Sequence, residues 1–470
     1  MYTGPNHLPV FLDPGALHQG TLMTLITKND MQYSMMVDDV SPNLISFALA
    51  TIRELAGSDA QMERAYRIHQ DQQTPLRPVI ETDTPMESHF GQRDRIDEFR
   101  TYYARRLVVP TAPLRDNLVA ELFQGDKAPL WMGLFACYGL PLVHLSDSME
   151  VKAATYAKQA LALAASNLDQ DLCALFGAIA SESRQRSALF GPSPMSSTAG
   201  STTGSTTGSS SSRSSSRPPP LFVQAVLPQQ NKKWTRDPLS ILNDLSQDGR
   251  LSGLSLVLPG YVSHAQYGRP WSTQPVVAQI VLESVWQWDL AETVNPLDAL
   301  EELGHVTVAL ACRTHKAGAD EPPEFDFFLS FLPTLVLSLR MFLGGVRRQY
   351  PAVSEISLVL IRCLWAQIVL VYILQLRPKI SAWPLPAAAV SREEGDFLLR
   401  DFYADTALSQ PRHQDAFYLR ALRTFAMLAA MDLEPQWTTR INDAAILFQT
   451  SWRRWVGRTS DEPATVAIRL

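Results

Sequence analysis

The chain has 470 residues, of which 46% are hydrophobic and only 19% are charged, and its net charge is −6. This composition can supply a large buried core, and the lack of a basic surplus excludes nucleic-acid binding through phosphate neutralisation. The four cysteines, at 137, 173, 312 and 363, form no CxxC pair, which predicts buried thiols in a reducing compartment. The N-terminal segment lacks the pattern of a secretory signal. We therefore expect a cytoplasmic protein.

Apolar residues recur at helical spacing along most of the chain, and neither an alternating strand pattern nor a βαβ rhythm is present. The predicted helices cover 44–57, 59–73, 93–106, 114–125, 148–166, 169–186, 221–228, 237–246, 275–290, 297–312, 326–345, 353–376, 394–404, 412–431 and 436–455. This pattern predicts an all-α fold, a large multi-helix single domain with a central apolar cavity.

A low-complexity tract rich in serine, threonine, glycine and proline covers residues 193–220. Such a composition buries too little apolar surface to offset the entropy of ordering, so we predict a disordered internal loop. Because a long insertion in a surface loop costs little free energy, residues 36–192 and 221–470 are predicted to form one helical domain together.

Two long apolar stretches raise the question of a membrane. Phe327–Gly345 contains Arg340, and Ser357–Leu376 contains Arg362. A spanning helix needs about 20 apolar residues with few or no charges, so we predict two buried core helices and no membrane span.

Residues 411–431 read as one helix in which His413, Phe417, Ala421 and Phe425 recur every four residues. Residues at this spacing share a helix face, so His413 is predicted to point into an apolar interior. A histidine in that position is either a hydrogen-bonded core residue, a metal ligand or a catalytic group.

A second histidine, His144, follows an apolar run just before Asp147, which is predicted to cap the next helix. Glu150 stands three residues after Asp147, as in a capping box. Backbone N–H groups at a helix start can build a binding site, and a histidine hydrogen-bonded to the cap is the structural alternative.

Several motifs of cofactor and nucleotide sites are absent from the sequence: GxGxxG, GxxxxGK[ST], GxSxG and HExxH. Without GxGxxG, no Rossmann site for a flavin or a nicotinamide can be located.

Five segments, spread from residue 43 to residue 422, resemble the pattern of the fungal questin oxidase-like family in its order. They are Asn43–Leu49 (family pattern NHxxHAL), Leu140–Ser146 (HPLIHLG), His305–Thr307 (HVT), Asp326–Phe331 (DFFLMH) and His413–Leu422 (HxxxKxxRAL). The resemblance implies a large α-helical tailoring enzyme of secondary metabolism. Known members act on anthraquinone-type polyketides, including steps of mycotoxin biosynthesis, by Baeyer–Villiger-like oxidation or ring cleavage.

The resemblance also implies a cofactor, either non-haem iron held by the family's histidines and lysine, or NADPH. This chain departs from that pattern at the proposed ligand positions, which are occupied by Leu44, Phe47, Leu140, Phe331 and Phe417. Three of the family's histidine positions remain, at His144, His305 and His413. Neither cofactor has an intact motif here.

Three hypotheses follow for a small aromatic or polyene substrate. The first is an oxidising enzyme with His144 and His413 as catalytic residues, and with His144, His305 and His413 as ligands if a metal is retained. The second is a redox-silent relative that catalyses a cyclisation, pericyclic step or isomerisation, and the third is a non-catalytic ligand-binding scaffold. The predicted substrate-binding residues are Asn43, Phe47, Leu140, Phe331 and Phe417, because apolar replacements create a surface on which a planar molecule can stack.

Overall fold

The structure is a computed structural model. It describes residues 19–37, 41–79, 85–107, 113–123, 130–168, 170–190, 236–252, 275–288, 290, 295–314, 323–347, 349–381, 400–431 and 435–456. The predicted internal loop, 193–220, lies outside the described residues.

Helices dominate the described residues, which confirms the all-α prediction. The α-helices are α1 Gln19–Gln32, α2 Ile45–Glu54, α3 Asp59–Gln70, α4 Ile96–Leu107, α5 Leu114–Phe123, α6 Leu140–Val151, α7 Ala154–Ser166, α8 Gln170–Phe190, α9 Pro238–Ser246, α10 Pro275–Gln287, α11 Pro296–Arg313, α12 Phe327–Val346, α13 Pro351–Leu374, α14 Arg400–Ala404, α15 Pro411–Gln414, α16 Ala416–Ala430 and α17 Pro435–Ser451. Short 3-10 helices cover Met86–His89, Arg93–Arg95, Leu130–Phe135, Cys137–Gly139 and Gly249–Leu251.

Strands contribute little to this fold. Met36–Val37 (β1) pairs antiparallel with Ser41–Pro42 (β2), and Phe325–Asp326 (β3) pairs in parallel with Trp455–Val456 (β4). The described residues therefore contain no βαβ unit of the kind that holds a dinucleotide.

The centre of the fold joins elements from both sides of the 193–220 tract. Helix α12 packs against α6, α11 and α16, and α16 packs in turn against α2. Helix α12 begins at Asp326, whose carboxylate accepts a hydrogen bond from the backbone N–H of Leu329 at 2.9 Å. The organisation into one domain stays a prediction, but the candidate site lies where α2, α6, α12 and α16 meet.

Both long apolar helices are mostly buried against the described protein. In the most apolar window of Phe327–Val346, 72% of the residues are buried, and in that of Val353–Leu374 the fraction is 89%. Each is long and apolar enough to cross a bilayer, and core helices pass the same test. The absence of a membrane span stays a prediction.

The expected helix over 412–431 is wrong in one respect, because it is interrupted at Asp415. This residue is extended (φ −84°, ψ 109°) and caps α16 by accepting a hydrogen bond from the backbone N–H of Tyr418 at 2.8 Å. Its carboxylate also accepts one from Trp455 Nε1 at 2.8 Å. His413 therefore belongs to the short helix α15 and does not share a helix face with Phe417.

The predicted helix start at Asp147 is also wrong. Helix α6 begins at Leu140, after Gly139 with φ +82° and with Pro141 in its first turn, a common position for proline. His144 and Asp147 thus lie inside the helix, and Asp147 is not a cap. Both side chains are buried, so this helix carries polar groups into the core.

Candidate active site: an aromatic cluster beside a buried ion network

Three phenylalanines that replace the family's proposed ligands lie together. The ring centroids of Phe47 and Phe417 are 5.0 Å apart, those of Phe331 and Phe417 are 5.5 Å apart, and those of Phe47 and Phe331 are 6.4 Å apart. Phe327 extends the group, with its ring 4.8 Å from that of Phe417. We call these four residues the aromatic cluster. Tilted and edge-to-face pairs at such distances are favourable beyond the burial of their area.

The cluster forms because three helices contribute apolar side chains to the same space. Phe47 comes from α2, Phe331 from α12 and Phe417 from α16. Helix α16 packs against both α2 and α12. Phe47 is fully buried, and Phe331 and Phe417 are each 7% exposed. The three positions therefore present carbon where the resemblance implies nitrogen donors.

A buried cation covers one side of the cluster. The guanidinium carbon of Arg420 lies 4.6 Å from the centroid of the Phe47 ring, within the range of a cation–π contact. Arg420 donates two hydrogen bonds to the Asp147 carboxylate, at 2.9 and 2.7 Å, and one to Glu54 at 3.0 Å. The fork of a guanidinium matches a carboxylate in this two-point geometry.

One turn along α16, Arg423 repeats the arrangement. Its Nε lies 2.6 Å from Glu54 Oε2, and its Nη2 donates a hydrogen bond to Glu150 Oε1 at 2.6 Å. Two arginines three residues apart thus face two carboxylates three residues apart on α6, with Glu54 of α2 between them. These five side chains form what we call the ion network, and they join three helices.

The network holds more carboxyl groups than guanidinium groups, three against two. Burial raises the pKa of Glu150 well above its usual value, and Arg423 opposes this only in part. The two arginines hold the pKa of Glu54 below its usual value in spite of its burial. Burial also raises the pKa of Asp147 to about 7, although the charge of Arg420 opposes this. The network therefore retains a proton on Glu150 or Asp147 beside ionised Glu54, which brings its charge close to neutral.

His144 lies deep in the same region, only 1% exposed, with its ring 6.1 Å from that of Tyr156. Neither ring nitrogen has a hydrogen-bond partner among the described residues. Burial, and secondarily the charge of Arg420, lowers the pKa of His144 to about 3. The imidazole is therefore neutral at physiological pH and is a poor general base, but it can donate one hydrogen bond and accept another.

His413, by contrast, has a defined structural environment. Its Nδ1 lies 2.8 Å from Asp405 Oδ2, and its ring packs against those of Phe402 and Tyr418. Asp405 also accepts hydrogen bonds from the backbone N–H groups of Ser409 and Gln410, so the pair organises the turn before α15. Its contacts favour the core-histidine alternative, and its catalytic role stays a prediction.

The other predicted residues are also placed. His305 of α11 stacks on Trp437, with ring centroids 3.8 Å apart. The Asn43 side chain donates to Asn29 and to the Ser34 carbonyl, both at 3.0 Å, so its amide is used within the protein. Leu140 is buried in the core at the start of α6.

The predicted central cavity stays a prediction, and the described residues line a small pocket beside the aromatic cluster. This pocket has a cavity volume of about 10 Å³, which is room for about one water. Its lining includes Tyr138, Phe328, Phe331, Leu335 and Gln367.

The ion network was not predicted from the sequence. The signal was present, because Asp147 and Glu150 on one helix, and Arg420 and Arg423 on another, are each three residues apart. Glu54 had no such signal, since nothing in the sequence brings α2 to the same place.

A comparison of the sequence with protein-family models shows which family the chain belongs to. The model of the family described as questin oxidase-like matches residues 41–425, which is most of the chain. The chain belongs to the questin oxidase-like family. This confirms the resemblance, and membership supports a role as a tailoring enzyme. A search of curated proteins found no match to this chain.

The described side chains of this questin oxidase-like protein do not fit the iron that the family resemblance implies. The three retained histidines form no common donor group among the described residues. The one such group found there is Glu54, Asp147 and Glu150, whose oxygens lie within 4.8 Å of one another. Those oxygens already face two guanidinium groups, which repel a cation, while iron of this type prefers imidazole with carboxylate.

Proposed function

We propose that this questin oxidase-like protein is a tailoring enzyme that rearranges a planar aromatic or polyene molecule without a resident metal. The observation that carries the proposal is the aromatic cluster itself. Phe47, Phe331 and Phe417 stand at the family's donor positions and contact one another. A phenylalanine ring cannot coordinate iron, but it offers a face and an edge on which a conjugated system packs.

Binding requires the cluster to open. The pocket beside Phe331 has room for about one water, so a planar molecule enters by displacing rings. Phe327 and Phe328, at the start of α12, line this pocket and are only half-buried. A substrate that displaces them is enclosed by apolar groups, which excludes water from the reacting bonds.

The polar chemistry of the site comes from the neutral His144 and the charge of Arg420. A substrate carbonyl or enol that accepts a hydrogen bond from the imidazole is polarised without a full positive charge, as a neutral histidine does in other enzymes. Arg420 reaches the cluster through its contact with Phe47 and favours negative charge that develops on the substrate. This combination suits an isomerisation, a cyclisation or a pericyclic step, in which shape and proton positions control the outcome.

The oxidative prediction makes a different demand. A Baeyer–Villiger-like step or ring cleavage needs oxygen activation, and we found neither an iron-binding donor group nor a dinucleotide motif to supply it among the described residues. The donor set therefore favours the redox-silent hypothesis over the oxidising one.

Turnover of a defined panel distinguishes the three hypotheses. The purified protein is incubated with hydroxylated anthraquinones and with polyene ketones, with and without oxygen. The molecular masses of the products are then measured by mass spectrometry. We expect a product of unchanged mass, formed at equal rates in both atmospheres. A product that gains oxygen only in air contradicts the proposal, and binding without any conversion favours the scaffold.

A further inference from the structure

One residue that lines the pocket beside the aromatic cluster carries a polar group that nothing so far explains. Gln367 of α13 lines this pocket and is only 1% exposed. Neither its Oε1 nor its Nε2 has a hydrogen-bond partner among the described residues. Leaving a buried amide unpaired is unfavourable at both atoms, since each loses its hydrogen bonds to water on burial. An apolar residue of similar size would avoid that cost.

The segment that carries Tyr138, another lining residue, has unusual backbone angles. Cys137, Tyr138 and Gly139 all have positive φ, at 46°, 57° and 82°. Two of the three are not glycine, and such conformations persist only where the surrounding structure enforces them, often at binding sites. Tyr138 lines the pocket, and a Cβ added at Gly139 would lie 2.6 Å from the side chain of Leu335, another lining residue.

The unpaired amide of Gln367 therefore lies beside aromatic and aliphatic carbon, and a ligand meets it once the rings of the pocket are displaced. We propose that Gln367 is a ligand-binding residue of this pocket, and that it selects a planar apolar molecule with a hydrogen-bond donor and an acceptor on one edge. Nε2 donates to the ligand's acceptor and Oε1 accepts from its donor. This inference rests on the proposed function, which places the substrate at the same aromatic cluster.

The ligand class follows from the amide. A primary amide pairs with a phenolic hydroxyl, which both donates and accepts, or with a lactam edge, which does so through adjacent atoms. An aromatic hydrocarbon satisfies neither atom, and binding it leaves both buried and unpaired. Sites built around buried polar groups reject a ligand that cannot pair with them far more strongly than apolar sites reject an added group.

The test compares two probes of similar shape, 2-naphthol and 2-methylnaphthalene, by titration calorimetry on the full chain. The wild-type protein is expected to bind 2-naphthol about tenfold more tightly, a ratio that hydrogen bonds to a buried amide can supply. Gln367→Leu is expected to abolish that preference, to keep its affinity for 2-methylnaphthalene, and to melt at a higher temperature. A substitution that stabilises the protein but lowers its selectivity between the probes shows that the original residue serves binding and not stability.

The matched control is Gln375→Leu. Gln375 follows the same helix, is 5% exposed and has an unpartnered Oε1, but it does not line the pocket. This variant is expected to retain the wild-type preference. Gln367→Met, which keeps an unbranched side chain, serves as the second variant if the leucine variant does not fold.

Two results overturn the inference in different ways. If the wild-type protein binds both probes equally, or if Gln367→Leu and Gln367→Met keep the preference, Gln367 does not select the ligand. Binding at the apolar site is then retained without a role for Gln367. If neither probe binds, the aromatic site itself fails, and the proposed function fails with it.

Discussion

The guanidinium carbon of Arg420 lies 4.6 Å from the centroid of the Phe47 ring. This contact joins two systems, because Phe47 belongs to the aromatic cluster and Arg420 belongs to the ion network of α2, α6 and α16. The charge of Arg420 is compensated by Asp147 and Glu54, which fixes its position against the ring. The site therefore combines an apolar surface with a guanidinium group whose position is fixed by carboxylates.

Replacing Arg420 by methionine is expected to lower the free energy of unfolding by about 3–5 kcal/mol, because it leaves buried carboxylates without their partner. Urea unfolding of both proteins measures this. Arg250→Met is the control, since Arg250 is 45% exposed in its side chain and pairs with Glu283 at the surface, where loss of a pair costs about 0–1 kcal/mol. Equal effects of the two substitutions would show that the ion network contributes no special stability.

The ion network also predicts a pH dependence of stability. Burial raises the pKa of Glu150 above its reference value of 4.5, so the native state retains a proton that the unfolded state releases as the pH rises past that value. Stability from this group is fully present below about pH 4.5 and declines at higher pH. Glu150→Gln mimics the protonated form and is expected to flatten the decline in urea unfolding between pH 5 and 8. A slope unchanged by the substitution would place the proton elsewhere.

His144→Leu separates a functional from a structural histidine. Both ring nitrogens are buried and unpartnered, so an apolar replacement is expected to leave the melting temperature unchanged or higher. Turnover of any substrate that the protein converts is expected to fall at least about 100-fold, the usual scale of a lost hydrogen bond to developing charge. A destabilised variant with full activity per folded molecule would refute the role of His144.

For His413, the opposite pattern is expected. His413→Ala removes the partner of buried Asp405 and is expected to lower the free energy of unfolding by about 1–3 kcal/mol. Activity per folded molecule should stay near the wild-type value, because the imidazole is engaged with Asp405 in the turn before α15. Loss of turnover with unchanged stability would instead establish His413 as catalytic.

Much of the fold was predictable from apolar periodicity, since long helices such as Phe327–Val346 and Pro351–Leu374 carry continuous apolar sequence. The resemblance also predicted that Phe47, Phe331 and Phe417 act together, and the structure places them in contact. The errors are local. The pattern around Asp415 is helical and predicts a helix interior, although its carboxylate competes for backbone N–H groups and ends the helix there.

The polar part of the site was less predictable, for two physical reasons. Aspartate favours helix starts, so the sequence predicts a cap at Asp147, whereas the structure pairs it with Arg420 from inside α6. Gln367 stands in an apolar helix without any local signal, and only the packing of other elements around it shows that its amide is unpaired. Such groups depend on tertiary contacts that periodicity does not contain.

The most direct test of the central claim is elemental analysis for iron, manganese and zinc on protein purified without chelator and then exposed to iron(II) without oxygen. Because phenylalanine occupies three of the donor positions, we expect well under one equivalent of any metal after gel filtration, with the protein folded. About one equivalent of iron that survives gel filtration, and that is lost in a His144→Ala variant, would contradict the account. It would restore the oxidising hypothesis.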